Sequence, residues 1–265
     1  MYREQTILFL PSLLKEAGKI ILSALNVTSS VTSKEGAGNF VTQFDTKVQD
    51  FLISEIKKQI PDATFIAEEK DNDVRVAQSA CCFVIDPIDG TTNFIYHYHH
   101  SCISIAMLCY GEPVIGAIYD PYLDELFLAQ KGMGATLNST PMHVSGNPLP
   151  HALAAYGTSP YYRDTLADKT FDLAKELFMQ TADIRRCGSA ALDLAYLAAG
   201  RNDVFFEMRL SPWDYAASYV LITEAGGKLT RLDGTPIDYT KPQSILASNA
   251  VAYDALLEIA KKYEN

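Results

Sequence analysis

Residues 81–100 read CCFVIDPIDGTTNFIYHYHH. An apolar run, Cys81 to Ile85, ends in Asp86, and Asp89 follows three residues later. Two carboxylates at that spacing can serve one hard cation or be shared by two. Pro87 between them fixes one backbone angle and removes a donor. The turn can therefore aim both acids and the Ile88 carbonyl at one place. Gly90-Thr91-Thr92 would then open a short helix whose free N–H groups suit an anion. A cation site beside an anion site is equipment for hydrolysing a phosphate ester.

Three further acidic features end apolar segments or open helices: Asp45 in NFVTQFDTK, Glu68-Glu69 in TFIAEEK, and Asp214 in SPWDYAAS. Taken singly, each has an ordinary reading as a helix cap, a turn or a solvated strand end. Together they carry more. Strands ending side by side deliver their terminal residues to one sheet edge. Several carboxylates meeting there raise one another's pKa unless a cation joins them.

Elements must exist to bring these acids together. Apolar residues at helical spacing predict a helix over 8–25 and a second over 45–60, with a Gly/Ser/Thr-rich loop at 30–39 between them. Short apolar runs at 63–67, 81–85, 101–110, 113–121, 125–130 and 134–138, with few helical signals between, predict an antiparallel sheet. After about residue 150 strands and helices alternate. Strands are expected at 151–157, 183–186, 202–207, 227–231 and 244–248, with helices at 163–179, 190–199, 213–225 and 250–263. The expectation is one unit spanning 1–265. An antiparallel-sheet subdomain, 1–150, would carry most of the metal ligands and pack on an α/β subdomain, 151–265.

Bulk properties narrow the class. The chain has 265 residues, 48% apolar and 20% charged, as an ordinary globular protein does. Its 22 basic and 32 acidic residues leave a formal charge of −10, which argues against a nucleic-acid surface. The five cysteines include no C-x-x-C pair, so reduced thiols in a cytoplasmic setting are expected rather than disulfides or structural zinc. The N-terminal stretch lacks the form of a secretory signal. No apolar run is long enough to span a bilayer.

DPIDGTTNF, with the upstream AEE and the downstream WDYAAS, resembles the inositol monophosphatase family of lithium-sensitive, magnesium-dependent phosphatases. The resemblance runs from about Lys34 to Ala247. It implies an α/β fold of layered, alternating helices and sheets (αβαβα) and a homodimer. It implies two to three Mg²⁺ ions per site. Glu68, Asp86 and the Ile88 carbonyl would hold the first, and Asp86, Asp89 and Asp214 the second. A third, weaker ion would lean on Glu68 and waters. Thr91, paired with Asp45, would orient and deprotonate the attacking water. The amides of Gly90 and Thr91 would grip the phosphate. Gly188, Ser189 and Ala190 would line the substrate pocket, with Glu207 bonding a substrate hydroxyl. Glu69 follows the metal-binding Glu, and Lys34 matches a mobile-loop lysine. Ala67 stands where the family often has Gly.

The implied reaction is direct attack of water on a phosphorylated polyol, with inositol 1-phosphate the leading substrate. Fructose 1,6-bisphosphate, 3′-phosphoadenosine 5′-phosphate and histidinol phosphate are alternatives on the same core, and a non-catalytic regulatory module is a remote one. A phospho-aspartyl mechanism of the haloacid-dehalogenase type needs Asp-x-Asp, and the spacing here is Asp-x-x-Asp. His97, His99 and His100 could suggest zinc, but no carboxylate or Cys is placed locally to complete a site, so they read as surface or interface residues. Tyr96, Tyr98, Tyr161 and Tyr162 read as packing or subunit contacts, and Cys187 as core. Arg185 and Arg186 could serve a subunit contact or a substrate anion.

Overall fold

The computed structural model describes residues 2–24, 31–33 and 40–264. Helix α1, Tyr2–Leu22, starts earlier than its spacing suggests and runs through Pro11. That ring costs one backbone bond, and the buried stripe of Thr6, Leu10, Leu13, Leu14, Ala17 and Ile21 offsets it. Strand β1, Val31–Ser33, inside the expected loop, pairs antiparallel with β2, Phe40–Thr42, which follows it. Helix α2, Gln43–Gln59, buries Asp45, Val48, Gln49, Leu52 and Ile56 along one face.

A seven-stranded sheet follows in simple order. It holds β3, Thr64–Ala67; β4, Cys82–Asp89; β5, Cys102–Cys109; β6, Glu112–Asp120; β7, Glu125–Gln130; β8, Ala135–Leu137; and β9, Thr140–Met142. Strand β9 was not foreseen. The sheet is not wholly antiparallel, because β3 and β4 run parallel. The segment between them crosses back over the sheet, as parallel strands require, and its 3-10 turn at Val74–Gln78 left only a weak signal. Beyond β4 a short helix α3, Thr91–Ile95, precedes β5.

The second sheet has five strands in the order β11-β10-β12-β14-β13. These are β10, Leu153–Tyr156; β11, Asp183–Arg185; β12, Val204–Leu210; β13, Lys228–Thr230; and β14, Gln243–Ser248. Strand β10 is parallel to both β11 and β12, and β14 is antiparallel to β12 and β13. The intervening helices are α4, Arg163–Gln180; α5, Ala190–Ala198; α6, Pro212–Glu224; and α7, Tyr253–Ala260.

Five layers result. Helices α1 and α2 cover the outer face of the large sheet, α5 and α6 lie between the sheets, and α4 and α7 cover the far face of the small one. Strand β5 shows how the pattern does this. Ile103, Ile105 and Met107 face α1 and α2, while Cys102, Ala106 and Leu108 face α5 and α6. Being buried on both faces, β5 reads as a continuous apolar run. Gly116 lets α6 approach, since a Cβ there would lie 2.2 Å from the Ala217 carbonyl oxygen.

Candidate active site

The D-P-I-D spacing has a geometric cause. Along β4, Cys82 and Val84 face the layer between the sheets, while Phe83 and Ile85 face α1 and α2. Asp86 continues the first series. In strict alternation Asp89 would point the other way. The register slips between them: Asp86 pairs with Ser104 and Asp89 with Cys102, so β4 carries one extra residue. This β-bulge at Pro87-Ile88 restores Asp89 to the face of Asp86. Ile88 turns its side chain into the outer core instead.

Each carboxylate spends one oxygen on the protein. Asp86 Oδ1 accepts from the Ile88 N–H at 3.0 Å. Asp89 Oδ2 accepts from the Ser189 hydroxyl and, at 2.8 Å, from the Ala191 N–H. Asp214, in the first turn of α6, accepts from the Ser211 N–H at 2.7 Å through Oδ2. It therefore does cap its helix, and it serves the site as well. One carboxylate oxygen from each of Asp86, Asp89 and Asp214 lies within 4.8 Å of the others. Glu68, at the end of β3, lines the same cavity.

This crowding shows in the protonation equilibria. Burial, and then the charges of Glu68, Asp89 and Asp214, push Asp86 well above the carboxylate range. Burial, and then Asp89 and Glu68, do the same to Asp214. Burial raises Asp89 only to about 6, because the bonds from Ser189, Ala191 and Gly90 hold it down. An all-oxygen set of buried acids that oppose one another's ionisation suits hard divalent cations such as Mg²⁺.

Beside the acids lies the turn Gly90-Thr91. Gly90 takes φ +87°, and a Cβ there would meet the carbonyl oxygens of His100 and Gly188 at 3.0 and 3.2 Å. Glycine is required on both counts. The Thr91 hydroxyl lies 3.3 Å from Asp45 Oδ1 and 3.1 Å from the Ile88 carbonyl, so its single proton can go to either. Asp45 is fully buried behind Thr91, outside the cavity wall. Glu69 is half-buried, and its N–H donates to Gln49 of α2 at 2.9 Å. Lys34 lies outside the described residues.

The cavity, about 300 Å³, is also lined by Gly188, Ser189, Ala190 and Glu207. Ser189 does more than line it: its hydroxyl holds Asp89 and accepts from the Leu192 N–H as the N-cap of α5. Glu207 is buried in β12, and Oε1 accepts from the Ser159 N–H at 2.7 Å. Burial pushes its carboxyl up to about 7, against the bonds from Ser159. Gly157 makes this seat possible, since a Cβ there would lie 1.8 Å from Glu207 Oε2.

Several residues take places the sequence did not indicate. Tyr96 and Tyr161, read as packing or subunit contacts, line the cavity. Burial and the facing acids push the Tyr161 phenol up. Arg163 lines it too, and so does Arg186, one of the two arginines offered for a substrate anion, whereas exposed Arg185 pairs with Asp183. Cys187 is half-buried rather than core. The turn GTSP at 157–160, following a strand, was the one available signal for this wall. His97 and His99 are exposed, as expected, but His100 lies near Cys187 and Asp193, brought there from far along the chain.

Comparison with known proteins agrees with this geometry. The inositol monophosphatase family model matches residues 3–265. A protein named Nus factor SuhB from Salmonella typhimurium is 39% identical over 245 residues, covering 92% of this chain and 91% of its own. An inositol-1-monophosphatase from Synechocystis sp. is 37% identical over 241 residues, covering 91% and 83%. The solved structure of a Thermotoga maritima inositol monophosphatase superposes with a TM-score of 0.89 at 31% identity, covering 99% of this chain and 98% of that one. With its acids, its Gly90-Thr91 turn and its layered sheets all in the same chain, the protein belongs to the inositol monophosphatase family.

Proposed function

We propose that this phosphatase hydrolyses a phosphorylated polyol, foremost inositol 1-phosphate, by direct attack of water on phosphorus. The observation that carries this reading is the meeting of Asp86, Asp89, Asp214 and Glu68 in one cavity, next to the Gly90-Thr91 turn and opposite Glu207. Glu68, Asp86, Asp89, Asp214 and the Ile88 carbonyl would hold two Mg²⁺ ions, with Glu68 also serving a weaker third. Ions bound there supply an acidified water and charge for the leaving oxygen.

The chain's own groups do the rest. When Thr91 donates to Asp45, its oxygen keeps lone pairs that orient a water in line with the phosphorus. The water's proton passes through Thr91 to Asp45 as the new P–O bond forms. The ester P–O bond breaks, and the departing alkoxide takes a proton from solvent. The amides of Gly90 and Thr91 hold the phosphoryl oxygens, and ionised Glu207 accepts from a polyol hydroxyl. Ser189, Gly188 and Ala190 form the wall behind Asp89.

Arg163 and Arg186 at the cavity favour a second reading, in which the substrate carries another anionic group, as in fructose 1,6-bisphosphate or 3′-phosphoadenosine 5′-phosphate. A panel of these with inositol 1-phosphate and histidinol phosphate, ranked by kcat/KM, decides between them. Inositol 1-phosphate should rank first. A bisphosphate ahead by tenfold would move the assignment. Hydrolysis in ¹⁸O-labelled water should place one label in each phosphate in a single turnover. A first turnover without label would mean attack away from phosphorus, and a trapped phospho-aspartate would mean a phospho-enzyme. In the same reading the enzyme works as a homodimer in the cytoplasm. Its five free cysteines fit a reducing compartment, and no described helix is long and apolar enough to cross a membrane.

A further inference from the structure

Behind the phosphate turn lies a second convergence of ligating groups. His100 comes from the segment before β5, Cys187 from the segment before α5, and Asp193 from the first turn of α5. A ring nitrogen, the thiol sulfur and a carboxylate oxygen of these three lie within 4.8 Å of one another. Asp193 is 2% exposed. His100 Nε2 is buried with no hydrogen-bond partner. Its ring is steadied edge-on by Tyr196, with centroids 5.9 Å apart. The Cys187 thiol bonds the Asp193 carboxyl directly, and the charge of Arg186 reaches it from further away.

We propose that His100, Cys187 and Asp193 form a separate binding site for a borderline-soft divalent cation of the zinc class. The donor set decides the class: nitrogen, sulfur and oxygen together suit Zn²⁺, whereas Mg²⁺ takes oxygen. Tetrahedral zinc holds its ligand atoms roughly 3.3–3.8 Å apart. The three side chains need close by only about an ångström to reach that geometry. Asp193 also lines the cavity, so a water can reach the fourth position. Binding takes the thiolate, and the Cys187 proton leaves to solvent.

The backbone is already tied for this purpose. One side chain, Asn93, donates to both the His100 and the Cys187 carbonyls, at 2.8 and 2.9 Å. Gly90 sits between the His100 and Gly188 backbones. A cation bridging His100 and Cys187 would therefore clamp the two walls of the phosphate turn, two residues from the Ser189–Asp89 bond.

Cobalt titration of the whole enzyme, with excess Mg²⁺ occupying the carboxylate cluster, tests this. One equivalent of Co²⁺ should develop a near-ultraviolet thiolate-to-cobalt charge-transfer band, and one equivalent of Zn²⁺ should abolish it. The band should be lost in Cys187→Ser, weakened in His100→Gln, and kept in Asp86→Asn. Circular dichroism of each variant checks that it is folded. No band in the wild-type enzyme, or a band that survives in folded Cys187→Ser, would overturn the proposal.

Discussion

At the scale of single residues, the site is a set of acids held in place at the expense of their own ionisation. Removing one should separate stability from activity. Asp86→Asn and Asp214→Asn are each expected to lower kcat/KM by about a thousandfold or more, roughly 4 kcal/mol, since each would loosen a bound ion. Without divalent ions the same variants should melt at or above the wild-type temperature, because each removes one party to a buried repulsion. Thermal melts in chelator check this, and a lower melting temperature in both would contradict it. Thr91→Ala should reduce kcat by about a hundredfold with KM little changed, while Thr91→Ser should recover most of the loss. Glu207 adds a pH dependence. Its carboxyl is held up to about 7, so the folded protein keeps a proton that the unfolded chain releases near the ordinary carboxylate value. Its ionisation therefore costs stability as pH rises through that window, and the cost is complete above about 7. Below about 7 it loses its role as acceptor, so KM for a polyol substrate should rise as pH falls. Glu207→Gln should flatten both trends.

At the scale of elements, much of the architecture was legible because burial on two faces leaves long apolar runs. The strands around β4, β5 and β6 and the helices α5 and α6 stand out for that reason. What the sequence concealed was one-residue geometry. The slip at Pro87-Ile88 puts both acids on one face, yet in sequence it shows only as a spacing of three. The parallel pairing of β3 with β4 depends on a crossover with little secondary structure of its own. The wall at 157–163 was also missed, because its residues look like an ordinary turn. Gln49, one turn on from Asp45 along the buried face of α2, was the clearest unused hint. Asp45 and Gln49 sit there to hold Thr91 and the Glu69 backbone. Two glycines test this level. Gly116→Ala should destabilise the fold by about 3 kcal/mol, since Cβ would press on the α6 backbone. Gly157→Ala should instead raise KM through Glu207 and leave the Mg²⁺ dependence unchanged. Denaturant titration and steady-state kinetics separate the two outcomes.

At the scale of the whole molecule, the site belongs to no single layer. The large sheet supplies Glu68, Asp86 and Asp89, the small sheet supplies Glu207, and the helices between them supply Asp214 and the Ser189 cap. We therefore propose that the two halves of the chain unfold as one cooperative unit, seen as a single calorimetric transition. Mg²⁺ at a hundred times its dissociation constant should stabilise the wild type by about 2.7 kcal/mol, raising Tm by roughly 5–10 °C for a domain of this size. Asp86→Asn should show little of that shift. The most direct measurement is phosphate release from inositol 1-phosphate by the wild-type and Asp86→Asn enzymes, each with millimolar Mg²⁺ and again with chelator. Release by the wild type with Mg²⁺ alone is the expected result; release that persists in chelator, or in Asp86→Asn at the wild-type rate, would contradict it.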